Sequence, residues 1–255
     1  MELQLYNQGV FDKYKSNTQR IRVLSEDWAE KNLFCVSCLS EHILKLKAGT
    51  PVADFICEIC QETFQLKSQN NTLAKKIVDG AFSTMIQSIK EGTRPNFLFL
   101  QYTKDYCVKN LLIVPSFFFV EEIIEKRRPL SENARRRGWV GCNLLMEKIP
   151  KEGRISIIKD GAILEKKEVN EKWRKVDFMK KTPLSERGWT IDILNVIHSL
   201  SKKTFQLDEI YRFEGELARI HPNNLHIKDK IRQQLQILRD KGFLRFKGNG
   251  AYELD

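Results

Sequence analysis

Four of the six cysteines in this 255-residue chain fall into one pattern, Cys35-x2-Cys38-x18-Cys57-x2-Cys60. No other feature constrains the fold as strongly. Each CxxC turn aims two sulfurs at one point, and two such turns close a tetrahedron around zinc at Zn–S distances of about 2.3 Å. The spacing therefore predicts a structural Zn2+ that clips two segments together. A closed four-thiolate shell leaves no open position, so this metal is expected to staple the fold and to do no hydrolysis. Disulfides or redox CxxC motifs are the competing reading, disfavoured by an expected reducing compartment and by the lack of a thioredoxin-like βαβ context. With four sulfurs supplied, His42 is expected at the surface, and Cys107 and Cys142 read as ordinary core or surface thiols.

Forty-two per cent of the side chains are apolar, enough for a full core in one large or two smaller domains. The net charge of +10, from 43 Lys and Arg against 33 Asp and Glu, favours an extended anionic partner, because each neutralised phosphate releases condensed counterions. Nucleic acid leads. A membrane surface is the rival, but the basic residues are spread through folded-looking sequence and no membrane partner is expected. MELQLYNQGV at the start has no apolar core, and the longest apolar stretch, Leu111 to Val120, is broken by Pro115 and Ser116. A cytoplasmic location is therefore expected.

Ser25 followed by EDWAEKN reads as a capped helix start. Val52 to Ile56 and Thr63 to Lys67 read as strands joined by the CEIC turn. Thr72 to Lys90 reads as a helix through Leu73, Ile77, Phe82, Met85 and Ile89. Phe97 to Tyr102 and Leu111 to Val114 are expected core strands, followed by a helix near Val120 to Glu125 and a strand at Arg154 to Lys159. These predict a mixed α/β domain with a central sheet. The character changes near KKTPLSERGW, residues 180 to 189. Beyond it come helices at IDILNVIHSL, LDEIYRFEGELARI and HIKDKIRQQLQILRDKG, then a hairpin turning at Gly248-Asn249-Gly250. Three helices and a hairpin is the winged-helix order, so the expected domains are residues 1–182 and 183–255.

The second cysteine pair sits between Asp54 and Gln65-Leu66-Lys67. Strand alternation puts Gln65 and Lys67 on one face, and an Asp on the partner strand can face them. Such a set can hold a hard cation such as Mg2+ through oxygen, with the lysine placed to stabilise charge on a phosphate. Taken alone the pattern is weak, and an exposed strand face of ordinary polar residues remains open. Glu62 is expected on the opposite face unless a bulge intervenes. Glu26 is read as a helix-start carboxylate that could reach a metal from outside.

Two further segments suit DNA. KRRPLSENARRR, residues 126 to 137, offers six bases against one acid, with Arg135, Arg136 and Arg137 just before Gly138 and Trp139. Basic groups set register on phosphates, and an adjacent aromatic can stack on or sense a base. A half-buried core tryptophan is the plainer alternative. In the last helix Ile227, Ile231, Leu235 and Leu238 form an apolar stripe, while Lys228, Arg232, Gln233, Gln236 and Arg239 project elsewhere. That partition suits a recognition helix as well as an ordinary surface helix, and the following hairpin, where Arg245 and Lys247 alternate with Leu244 and Phe246, favours DNA contact.

PVADF, the CEIC knuckle, FQLKS, DGAFSTM, NFLFLQYTK, ARRRGWVGCN, SERGWTIDILN and HIKDKIRQQLQILRDKG followed by FKGNGAY run in order along nearly the whole chain. In these residues the chain resembles the PD-(D/E)xK nuclease superfamily, and within it the DpnI, or Dam-replacing, family of methyl-directed type II restriction endonucleases. The resemblance implies cleavage of double-stranded DNA at GATC when the adenine carries an N6-methyl group. It implies Asp54 and residue 65 as ligands of the catalytic Mg2+, Lys67 as the catalytic lysine, and Trp139 beside the methyladenine. The family has glutamate where this chain has Gln65, and the lost charge should lower metal affinity. The alternatives are a winged-helix methyl-DNA-binding protein whose nuclease is weakened by Gln65, and a nuclease of different specificity. A monomer in solution is expected.

Overall fold

The computed structural model describes residues 1–47, 49–50, 52–70 and 75–255. They form two compact units, Met1–Glu147 with Lys151–Phe178, and Lys148–Pro150 with Met179–Asp255.

The first unit opens with α1 (Gln8–Lys13) and α2 (Asn17–Asn32), followed by the short strands β1 (Leu44–Lys45) and β2 (Phe55–Ile56) and the longer β3 (Thr63–Gln69). Next come β4 (Lys76–Ala81), α3 (Phe82–Lys90), β5 (Asn96–Tyr102) and β6 (Val108–Val114). The unit ends with β7 (Ile124–Lys126), β8 (Gly141–Leu145), β9 (Ile155–Lys159), β10 (Ala162–Ile163) and α4 (Lys166–Val176). Seven strands form a sheet in the order β1-β2-β3-β5-β6-β9-β10, and β4-β8-β7 form a second. NFLFLQY of β5 is apolar on both faces, and residues 96–101 are buried, as a strand at the centre of a covered sheet must be. It pairs in parallel with β3 and antiparallel with β6. A parallel neighbour needs a crossover, and the chain between β3 and β5 carries β4 and α3. Phe97, Phe99 and Phe119 cluster over β5, with Phe97 stacked 5.5 Å from Phe99 and 4.9 Å from Phe119.

In the first unit the structure corrects four local expectations. Ser25 lies inside α2, which starts eight residues earlier at Asn17. Its hydroxyl donates to the Ile21 carbonyl at 2.7 Å, a back-bond that lets serine stay within a helix. The helix expected over Thr72 to Lys90 is one only from Phe82; residues 71–74, including Thr72 and Leu73, lie outside the described residues. Lys76–Ala81 is instead a strand whose burial alternates while its hydropathy does not, with Val78 exposed and Asp79 buried, so apolar spacing could not mark it. The expected helix near Val120 to Glu125 is a single 3-10 turn, Glu121–Ile123, running into β7, because Val120, Ile123 and Ile124 are β-branched and suit extended backbone. Val52 to Ile56 narrows to Phe55–Ile56, with Val52 at φ 71°.

The second unit is a winged helix: α5 (Leu184–Ser199), β11 (Thr204–Gln206), α6 (Leu207–Tyr211), α7 (Glu214–Ile220), α8 (Ile227–Asp240), β12 (Leu244–Gly248) and β13 (Ala251–Leu254). The single helix expected over Leu207 to Ile220 is divided into α6 and α7, which Arg212 and Phe213 separate. Gln206 and Glu209 form a capping box at the start of α6. Ile227, Ile231, Leu235 and Leu238 of α8 are buried. Buried Gln234 accepts a hydrogen bond from Thr190 of α5 at 2.8 Å, fixing the two helices' relative placement. The wing is the β12–β13 hairpin, whose turn residues Gly248, Asn249 and Gly250 all have positive φ, as the asparagine and glycines there permit. Phe246 does not alternate into the core: it is 48% exposed and rests 5.3 Å from the Tyr252 ring. Among the described residues no helix is long and apolar enough to cross a membrane.

Candidate active site and zinc centre

Cys35, Cys38, Cys57 and Cys60 gather with all four sulfurs within 4.8 Å of one another. Cys35 and Cys60 are 3.5 Å apart at sulfur, and Cys38 and Cys57 are 3.6 Å apart. A tetrahedron with Zn–S bonds of about 2.3 Å has S–S edges of about 3.8 Å, so the cluster fits a structural zinc. The two halves are built alike. The Cys35 carbonyl accepts from Leu39 N–H and the Cys57 carbonyl from Gln61 N–H, each at 2.8 Å, and Leu39 and Gln61 turn at φ 64° and 62°. Asn170 of α4 donates to the carbonyls of Val36 and Ser37 at 2.7 and 3.0 Å, tying the first knuckle to the domain. His42 is exposed, Cys142 is buried and Cys107 is half-buried.

The second knuckle is the turn between β2 and β3. Antiparallel pairing of Phe55 with Phe64 and Ile56 with Thr63 ends one residue short of Asp54, which is held against β3 by two hydrogen bonds. Asp54 N–H donates to the Phe64 carbonyl at 2.8 Å, and the Leu66 N–H donates to Asp54 Oδ2 at 2.8 Å. Burial raises the Asp54 pKa, outweighing the Leu66 N–H and the charges of Lys67, Arg22 and Lys45. A nearby cation would reverse that. The Gln65 Oε1 atom is buried with no hydrogen-bond partner, an orphaned oxygen of the sort that a metal, water or ligand satisfies. Two residues on, Lys67 shares the Gln65 face of β3. Glu62 is engaged elsewhere, accepting from the Asn96 side chain at 2.7 Å. Glu26 sits in the body of α2, not at its start, and pairs with Arg22 at 3.4 Å and Lys45 at 3.1 Å.

Sequence reasoning missed Asp79. It lies on β4 and meets Lys67 Nζ at 2.5 Å through Oδ1 and Arg94 Nη2 at 2.9 Å through Oδ2. Burial pushes its carboxyl up, but Lys67, Arg94 and the Gly80 N–H together hold it below the usual carboxylate range. No sequence signal marked it, because KIVDGA buries the charged Asp79 and exposes the apolar Val78.

Arg127 N–H bonds the Gly141 carbonyl at 3.0 Å and Leu130 N–H the Trp139 carbonyl at 2.9 Å. The basic run is therefore the tip of the hairpin that extends β7 and β8. Arg135, Arg136 and Arg137 are exposed there, with Arg137 paired to Glu132 at 3.1 Å. The Arg136 guanidinium stands 5.1 Å over the half-buried Trp139 ring. That ring lies on Gly141, where a Cβ would come within 2.8 Å of Trp139 Cζ3.

In the winged helix Lys228, Arg232, Gln233, Gln236 and Arg239 share the exposed side of α8, and Lys247 is exposed on the wing. Lys228 and Arg232 both meet Tyr211, the first over its ring at 5.4 Å and the second at its hydroxyl at 3.0 Å. Arg239 pairs with Asp240 at 3.0 Å and Lys247 with Glu253 at 3.2 Å.

Two family models match the chain. That of the Dam-replacing family covers residues 1–182, and that of the Dam-replacing HTH domain covers residues 185–254.

Proposed function

The chain belongs to the Dam-replacing family of methylation-dependent restriction endonucleases, and on that premise we propose that it is a Mg2+-dependent type II enzyme cutting double-stranded DNA at GATC sites that carry N6-methyladenine. In this reading residues 1–182 are the nuclease and 183–255 the winged-helix reader, and the protein acts as a cytoplasmic monomer. The observation that carries it is the Leu66 N–H bond to Asp54 Oδ2, which holds the acid on the strand that bears Lys67 and Gln65, whose buried Oε1 lacks a hydrogen-bond partner.

A carboxylate and an amide oxygen are the hard donors that Mg2+ takes, so the residues present fit the ion. Bound there, Mg2+ would supply an acidified water and neutralise phosphate charge. The Leu66 N–H fixes Asp54 through Oδ2, and Asp54 and Gln65 would hold the ion. Lys67 brings an ammonium to the scissile phosphate, where charge builds up as the P–O bond breaks. Trp139, seated on Gly141, offers an apolar face to the methyl group. A methyl adds no hydrogen bond, so contact and fit must recognise it. Arg135, Arg136 and Arg137 hold backbone phosphates near it, while Lys228, Arg232, Gln233, Gln236, Arg239 and Lys247 form the DNA face of the reader.

Gln65 itself favours a second reading, a methyl-DNA-binding protein whose nuclease is weakened by the missing carboxylate. Digestion of methylated and unmethylated plasmid, with and without Mg2+, separates the two. Cutting of methylated plasmid only, and only with Mg2+, supports the nuclease. Methyl-specific binding without cutting supports the reader.

A further inference from the structure

We propose that Asp79 is the positioning residue for Lys67, and that buried Arg94 holds Asp79 to that task. The inference rests on the reading of Lys67 as the group that meets the phosphate.

Lys67 projects from β3 on a flexible four-carbon stem, and its side chain is 28% exposed. Left alone, such a chain samples many rotamers. Asp79 Oδ1, 2.5 Å from its Nζ, selects one of them. Asp79 is itself immobile. Its side chain is 5% exposed, on a strand whose ladder sets Asp79 opposite Cys142. Its other oxygen is held by Arg94, 6% exposed, at 2.9 Å. The Arg94 guanidinium in turn lies 4.4 Å over the Phe97 ring, and burial lowers its pKa against the pull of Asp79.

Charge counting shows why a third member is present. An aspartate paired with lysine alone would cancel the ammonium that a phosphate needs. Arg94 neutralises Asp79 from the buried side, so the trio keeps a net charge of one positive unit, and Lys67 is its exposed end. A buried Arg–Asp pair brings little stability over an apolar pair of the same size, so its use here points to geometry. The ladder that places Asp79 also places Ala81 opposite Gly141, with a bulge between Asp79 and Ala81. Gly141 is the seat of Trp139. The position of the lysine and that of the indole are thus set by one pair of strands.

The test compares the full-length wild-type protein with Asp79→Asn, and with Arg94→Lys should Asp79→Asn fail to fold, zinc content and thermal midpoint being the check on folding. Without DNA, Lys67 acetylation by acetic anhydride, read by mass spectrometry, should rise about tenfold in the variant, the occupancy that a charge-assisted hydrogen bond sustains. Unchanged Lys67 labelling overturns the link. With methylated duplex, single-turnover cleavage at saturating protein should fall roughly 100-fold, as a displaced reacting group costs. Duplex affinity and half-saturating Mg2+ should stay unchanged. Undiminished cleavage overturns positioning, and a rise in half-saturating Mg2+ overturns it in favour of Asp79 as a metal ligand. A wild-type protein that never cuts would refute the nuclease reading, while the labelling would still decide whether Asp79 holds Lys67.

Discussion

The Leu66 N–H donates to Asp54 Oδ2 at 2.8 Å, so the strand that presents Gln65 and Lys67 also fixes the acid. Three chemically different groups are held by a single turn of chain, and the zinc knuckle is that turn.

Removing the zinc should therefore remove the site. Metal analysis should find one zinc per chain. Cys57→Ser should lose it and lower the thermal midpoint sharply, because a structural zinc contributes folding free energy outright, about 10–16 kcal/mol in small zinc peptides and less in a domain with its own core. A Cys57→Ser protein that melts with the wild type would show the four cysteines to be independent of the fold.

Changing Gln65 to Glu restores a carboxylate at a position whose amide oxygen has no hydrogen-bond partner. Half-saturating Mg2+ for cleavage should fall severalfold, since ligand charge tunes affinity for hard cations. A titration of rate against Mg2+ checks this, and an unchanged midpoint would place the ion elsewhere.

Trp139→Ala should erase methyl discrimination. An apolar pocket distinguishes one methyl group by about 10–200-fold, so the ratio of cleavage rates on methylated and unmethylated duplex should fall toward unity. Gly141→Ala should act in the same direction, because its Cβ would lie within 2.8 Å of the indole. Equal discrimination in all three proteins would assign the methyl contact to another residue.

Acid should weaken the nuclease unit through Asp79. Its folded pKa lies below the ordinary aspartate range because Lys67 and Arg94 outweigh burial. The contribution is thus fully present above the unfolded pKa and is lost as pH falls through the folded value. Urea midpoints measured downward from pH 6 should drop more steeply in wild type than in Asp79→Asn, and parallel curves would contradict this.

Much of the fold follows from local patterns. The CxxC spacing brings four thiols into one cluster because ligand geometry is short-range and strict. The last 70 or so residues read as a winged helix because the α8 stripe and the Gly248-Asn249-Gly250 turn are both local signals. Asp79 was not legible. Its partners, Lys67 and Arg94, lie 12 and 15 residues away, and its strand is short and ends directly in a helix, so helical counting ran through both. The two-residue strands β1 and β10 carry too few side chains to show any period.

On the reader, Lys247→Ala should lower affinity alike for all sequences and reduce the salt slope by about one, as a phosphate contact does, whereas Gln236→Ala should cost about 1–3 kcal/mol on GATC alone. Binding isotherms at several salt concentrations distinguish the two patterns.

The most direct measurement is single-turnover cleavage of a duplex bearing one GATC site, N6-methylated or not, in Mg2+, by wild type and by Lys67→Ala. Wild type should cut the methylated duplex alone, and Lys67→Ala should bind it as tightly yet cut it about 100–1,000-fold more slowly. Cleavage that ignores the methyl group, or that survives the loss of Lys67, would contradict the assignment of this site.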